Sequence, residues 1–120
     1  MQAIWDMYDR VKDVMNDAKG LYEHASKIDV FGQAKNTVGY WLDRILLWIK
    51  REVNATSVTL ESGLVVVTWS DSWYELEIKV RLEGWLAKLV EWLEDMGENT
   101  ELSYRKFVGL LADAVKACQD

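Results

Sequence analysis

His24 and Cys118 are the only histidine and the only cysteine in the chain. An imidazole held beside a thiol would supply a base and a nucleophile, the pair that drives thiol-based acyl transfer. Nothing in the spacing brings the two together. His24 takes the polar phase of one helical stretch and Cys118 the apolar phase of another, so an exposed imidazole and a buried, unreactive thiol are expected. Glu75 and Glu77 would project from one face of a strand, as paired acid–base carboxylates can, but so do ordinary solvated pairs. Asp6, Asp9, Asp13 and Asp17 recur at helical spacing. Without the converging loop ligands of a calcium or magnesium site they read as a solvated face. Zinc-ligand spacing, a glycine-rich phosphate loop and a nucleophile elbow are all missing. The expectation is a non-enzyme with no cofactor and no metal.

Charge says more. Among 120 residues, 14 Lys and Arg stand against 20 Asp and Glu, a net charge of −6. Residues 1–54 are balanced, so the whole excess falls on residues 55–120. There Glu91, Glu94, Asp95, Glu98 and Glu101 cluster. Glu94 and Asp95 fall in the last turn of an expected helix, where the helix dipole disfavours each anion by ~0.3–1 kcal/mol. Such a cluster suits a basic surface on a partner protein. The competing account is a solvated helix end kept acidic for solubility. A net-negative chain without a Lys/Arg cluster lacks the cationic face that nucleic acid or an anionic membrane requires, so neither is expected as a direct partner.

The chain also holds seven tryptophans. Trp41, Trp48, Trp85 and Trp92 lie on apolar helix faces, which suits a filled core or the lining of a pocket for a small apolar ligand. Trp5 falls off its helix stripe, and Trp69 and Trp73 flank a tight turn. These three are the aromatic candidates for a partner interface, because aromatic side chains bury much area at little entropic cost. A second stripe, Tyr40, Arg44, Leu47 and Arg51, runs along one helix where an isolated monomer would not need it. With a central strand apolar on both faces and a coiled-coil-like spacing in the first helix, it points towards self-association as a homodimer.

The elements that must carry these residues follow from periodicity. Ile4, Tyr8, Val11, Met15, Ala18, Tyr22 and Ala25 alternate steps of four and three, which predicts one helix over residues 2–27, weakened but not ended by Gly20. A break over 26–32 follows, with Asp29 capping a second helix over 30–53. The pattern then alternates, predicting strands over 57–60, 64–69 and 73–82 joined by tight turns. Helical spacing returns over 84–96. Gly97-Glu98-Asn99 ends that helix, and Asn99 or Thr100 caps a last one, whose Tyr104, Phe107, Leu111, Ala114 and Cys118 share a face. Two helices, a three-stranded antiparallel meander and two further helices make a single α+β domain over 1–120, with the helices on one face of the sheet.

One cysteine excludes an intrachain disulfide, and a reducing cytoplasm is the default compartment. Asp6, Asp9, Asp13 and Asp17 interrupt any signal-peptide core, and no apolar run approaches the ~20 residues a membrane span needs. Three functions fit these features. One is a small acidic protein-interaction module of the inhibitor, adaptor or antitoxin type, a size and charge shared by analogy with viral and mobile-element inhibitors. The second is an apolar-ligand domain with a tryptophan-lined pocket. The third is a structural subunit of an oligomeric assembly.

Overall fold

The computed structural model describes residues 2–29 and 36–119. Its elements run α1 (Gln2–Met15), α2 (Ala18–Asp29), α3 (Val38–Val53), β1 (Ser57–Glu61), β2 (Leu64–Ser70), β3 (Glu75–Arg81), α4 (Gly84–Met96) and α5 (Tyr104–Ala117). The strands form one antiparallel sheet in the order β1-β2-β3. This is the α+β architecture that the change of periodicity implies, with five helices rather than four.

The expected first helix is two. The stripe continues in register across Asn16 and Asp17, but the backbone does not. The Asp17 carboxylate accepts a hydrogen bond from the Gly20 amide at 3.0 Å and so caps α2, the role that favours Asp at a helix start. Gly20 is a contact residue rather than a weak point. A Cβ there would lie 2.7 Å from the Asp17 carboxylate and 3.2 Å from Trp48 Nε1, so only glycine lets α2 approach α3 this closely.

Asp29 closes α2 instead of capping the next helix. The cap of α3 is Thr37, whose hydroxyl accepts from the Tyr40 amide at 3.2 Å. Residues 30–35, the expected first turns of that helix, lie outside the described residues. The last helix is likewise capped by Ser103, which accepts from Lys106 N, and not by Asn99 or Thr100. The loop before it has another task. The Glu98 carbonyl accepts from Gly39 N at 2.9 Å and the Thr100 carbonyl from Val38 N at 3.0 Å, while Leu102 N donates to the Asn36 carbonyl at 2.6 Å. The α4–α5 loop thereby satisfies amides that the first turn of α3 would otherwise leave unpaired.

The sheet presents one face to the helices. Val58 pairs with Val67, Leu60 with Val65, Val80 with Val65, Ile78 with Val67 and Leu76 with Trp69. These side chains join one continuous core with Trp41, Trp48, Leu89, Leu93, Phe107 and Leu111. α3 contacts β1 and α1 contacts β3, while α2 and α4 pack on α3 and α5 packs on α2 and α4. Trp41 anchors the centre. Its ring stacks on Phe107 at 4.4 Å, and its Nε1 donates to the Leu102 carbonyl at 2.7 Å.

The other face of the sheet is wet. Glu75, Glu77, Lys79 and Arg81 are exposed on β3, as their alternation implies. Val66 is the exception that makes β2 look two-faced. It is buried yet sits outside the core cluster, flanked in register by Thr59 and Lys79. It is already buried within the single chain.

Candidate functional site

Two places collect the exposed residues that could recognise a partner, and they occupy opposite ends of the sheet. The first lies where the β1–β2 turn meets α4. Ser62 and Gly63 both take positive φ, 51° and 79°, which makes the two-residue turn that matches strand twist. The turn brings the β2 start beside the β3 end, and Leu82 N donates to the Gly63 carbonyl at 3.1 Å. α4 then crosses this end and leaves an open groove of about 550 Å³. Leu64, Leu82 and Val90 line its apolar part, and Arg81 stands among the lining residues with Glu91, Glu94 and Asp95.

All three carboxylates are exposed. The one ion pair among the described residues joins Lys79 to Glu77 on the strand face, so none of the three forms an ion pair, with Arg81 or otherwise. The last turn of α4 contains no basic residue. The anions therefore add to the negative end of the helix dipole instead of being offset.

The remaining two members of the acidic cluster belong elsewhere. Glu98 packs on the start of α3, where a Cβ on Gly39 would lie 2.7 Å from its Cγ. Glu101 bridges to Thr37. Both stand at the positive end of α3, where an anion is favoured, and both are parts of the capping loop.

The second place is the far end of the sheet, a strand length of ~20 Å away. Here the two tryptophans that flank the turn after β2 have opposite fates. Trp69 turns inward, where it also lines the cavity at this end of the sheet with Met7 and Tyr74. It is buried at 8% exposure, and its Nε1 donates to the Val53 carbonyl at 3.1 Å, tying β2 to the end of α3. Its phase with Val65 and Val67 carried that signal. Trp73 is 91% exposed and Trp5 69% exposed, and Ile4 and Tyr74 are exposed beside them in sequence.

α1 reaches this end of the sheet through Met7. A cavity of about 350 Å³ is lined by Met7 from α1, Asn54 and Thr56 after α3, and Asp71 and Tyr74 from the β2–β3 turn. Farther along, Lys12 and Met15 meet Val80 and Arg81 at the opposite end of β3. α1 therefore runs in the direction of β3. Trp5 lies seven residues before Lys12, on the same flank of α1 two turns earlier. Periodicity alone could not reveal Tyr74, because its phase is that of the inner face.

The stripe expected to mediate self-association is partly exposed. α2 packs on α3. His24 of α2 lies beside Arg51 and Arg44, and its Nε2 is buried with no hydrogen-bond partner among the described residues. Desolvation is the main cause, and the two guanidinium groups add to it, that push the imidazole down to about 4. The side chain expected to be exposed is thus half-buried and neutral. Arg44 also lies over the Tyr40 ring at 5.0 Å, and Tyr40 and Leu47 are half-buried. Only Arg51 of the four is exposed.

Cys118 departs from expectation in the other direction. α5 ends at Ala117, so residue 118 leaves the helical phase and its thiol is exposed. The described geometry does not associate it with His24. Asp6, Asp9, Asp13 and Asp17 are all exposed, and no group of three or more metal-ligating side chains converges among the described residues.

Comparison with known proteins adds no relative. No family model, no curated protein and no solved structure matches the chain. The arguments that remain are those of the molecule itself. Trp41 and Trp48 are 1% exposed, Trp85 is 9% exposed and Trp92 packs half-buried against the core. None of the four lines a described cavity. No described helix is long and apolar enough to cross a membrane.

Proposed function

We propose that the chain is a non-catalytic protein-interaction module that engages a basic surface on a partner protein. The observation that carries this reading is the groove beside α4. Three exposed, unpaired carboxylates line it at a helix C-terminus, where their field is reinforced. Electrostatic complementarity of this kind speeds encounter and selects against acidic partners. A partner of this type includes any protein whose cationic surface otherwise holds nucleic acid, and occupying that surface would make the module an inhibitor. None of the four helix tryptophans lines a described cavity, which gives the ligand-pocket reading less support.

The test is affinity capture from cell lysate at low and high salt, comparing wild type with the triple variant E91K/E94K/D95K. The expected result is a basic protein retained by wild type at low salt and lost both on charge reversal and as the Debye length falls from ~10 Å at 0.1 M to ~3 Å at 1 M salt. Capture that is indifferent to salt and to reversal overturns the electrostatic reading.

A further inference from the structure

The sheet ends in two unlike edges. β1 carries one charged residue, Glu61. β3 carries four, Glu75, Glu77, Lys79 and Arg81, all exposed and all on the outer face. The hydrogen bonds at the two ends of β3 fix the direction of its main chain. The Tyr74 carbonyl accepts from Asp71 N at 2.9 Å, and Leu82 N donates to the Gly63 carbonyl at 3.1 Å. Residues of even number therefore face β2, because main-chain groups alternate sides along a strand. The N–H and C=O groups of Glu75, Glu77, Lys79 and Arg81 point away from the sheet. Among the described residues, no hydrogen bond reaches them. α1 packs on the inner face instead, where its Val11, Val14 and Met15 share the core with Ile78 and Val80.

An open edge is a template for another strand, and the signs along this one are ordered. Two anions precede two cations at alternate positions. A second copy of the chain, antiparallel and related by a two-fold axis at Ile78, would set Glu75 opposite Arg81 and Glu77 opposite Lys79 in both directions. These are the residues whose main-chain groups are free, so each match closes a hydrogen-bonded pair as well. Opposite charges directly across two strands stabilise their pairing, and like charges destabilise it. Sliding the second strand by two residues sets Glu77 against Glu77 or Lys79 against Lys79. Parallel pairing in register opposes like charges throughout. Within a single chain the same groups make one loose contact, Lys79 to Glu77 at 3.8 Å, with both side chains more than half in water.

We infer that β3 is a self-association edge, through which two copies of the chain pair antiparallel about Ile78. The two sheets then join into one, in the order β1-β2-β3-β3-β2-β1. The occupant is a second copy because its charge order is the complement of this edge. The inference is independent of the basic-partner reading and uses a different surface from the stripe on α3.

The test is sedimentation of the full, ¹⁵N-labelled chain from micromolar to millimolar concentration, with an amide spectrum at each end of the series. Wild type is compared with E75K/E77K, whose edge is wholly cationic, and with K79E/R81E, whose edge is wholly anionic. All four positions are exposed, so both variants keep a folded amide spectrum. Wild type is expected to move from 13.9 kDa towards twice that mass, with concentration-dependent shifts centred on residues 75–81. Each variant alone should have its dimer dissociation constant raised roughly tenfold or more. An equimolar mixture of the two variants should dimerise again, since every facing pair is then opposite in sign.

Wild type that stays at the monomer mass throughout the series would overturn the inference. So would a dimer whose shifts fall in β1 or on the α3 stripe, or one that both variants leave intact. A mixture no more associated than its components would overturn the charge-matched register. None of these outcomes touches the α4 groove, which the lysate experiment decides.

Discussion

The two ends of the sheet solve the same problem in opposite ways. At the α4 end the apolar residues Leu64, Leu82 and Val90 sit within the groove and the charges stand along it. At the far end Trp73 stands almost fully in water, and the exposed Asp71 and Glu75 flank it in sequence. Both surfaces are net acidic. One offers a field without an anchor, the other an anchor within a field. Fields govern the rate of encounter, whereas buried aromatic anchors govern how long a complex lasts. A partner that used both would need cationic groups ~20 Å apart, the length of a strand.

The sharpest way to break this contrast is at the turn between Trp69 and Trp73. W69A removes a buried ring and its hydrogen bond to Val53. It should destabilise the fold by about 3–5 kcal/mol, read from urea unfolding. A cost below about 1 kcal/mol would mean that Trp69 belongs to the surface after all. A G20L substitution should also be severe, because its Cβ meets the Asp17 carboxylate and the Trp48 indole. A loss of about 1–3 kcal/mol is expected, with hydrogen exchange accelerating first in α2.

His24 tests the seam between α2 and α3. Its folded pKa of about 4 lies below the ordinary 6.5, so the unfolded chain takes up the proton first. The stability held by the neutral imidazole is complete above pH ~6.5 and is lost as the pH falls towards ~4. Wild type should therefore lose melting temperature relative to H24Q across that window. Parallel curves would mean that the imidazole is solvated.

Smaller effects separate the two ends directly. E94K/D95K should raise stability by ~0.3–1 kcal/mol per residue at low salt, since lysine suits a helix C-terminus. The gain should shrink at high salt. W73A should change stability by no more than about 0.5 kcal/mol, so any large loss of binding in that variant reports the surface and not the fold.

Much of the architecture was legible because two periods differ so plainly. Tyr74, Leu76, Ile78, Val80 and Leu82 alternate without a slip, and β3 falls within them. The split between α1 and α2 was hidden because the apolar seam keeps its register across Asn16 and Asp17. A cap made by an aspartate side chain leaves no gap in the hydrophobic pattern. The α3 stripe illustrates a different limit. Periodicity shows that Tyr40, Arg44, Leu47 and Arg51 share a face, but only the fold shows that His24 of α2 lies beside Arg44 and Arg51. At the candidate sites, the acidic cluster looked like one patch because its members are close in sequence. Gly97 ends α4, and the chain beyond it turns Glu98 and Glu101 to α3 while Glu91, Glu94 and Asp95 stay on the groove.

The loop that caps α3 also bears on the order in which the chain can mature during synthesis. Val38 and Gly39 find acceptors on Thr100 and Glu98, and Asn36 finds its donor on Leu102. About sixty residues must therefore emerge from the ribosome after the α3 start before its first turn is fully hydrogen-bonded. Until then the central helix has an open end, and Trp41 has neither the Leu102 carbonyl nor the Phe107 ring to rest on. A nascent chain stalled before residue 102 should hold its helix stripes exposed to chaperones, and release of the last twenty residues should close the whole core at once.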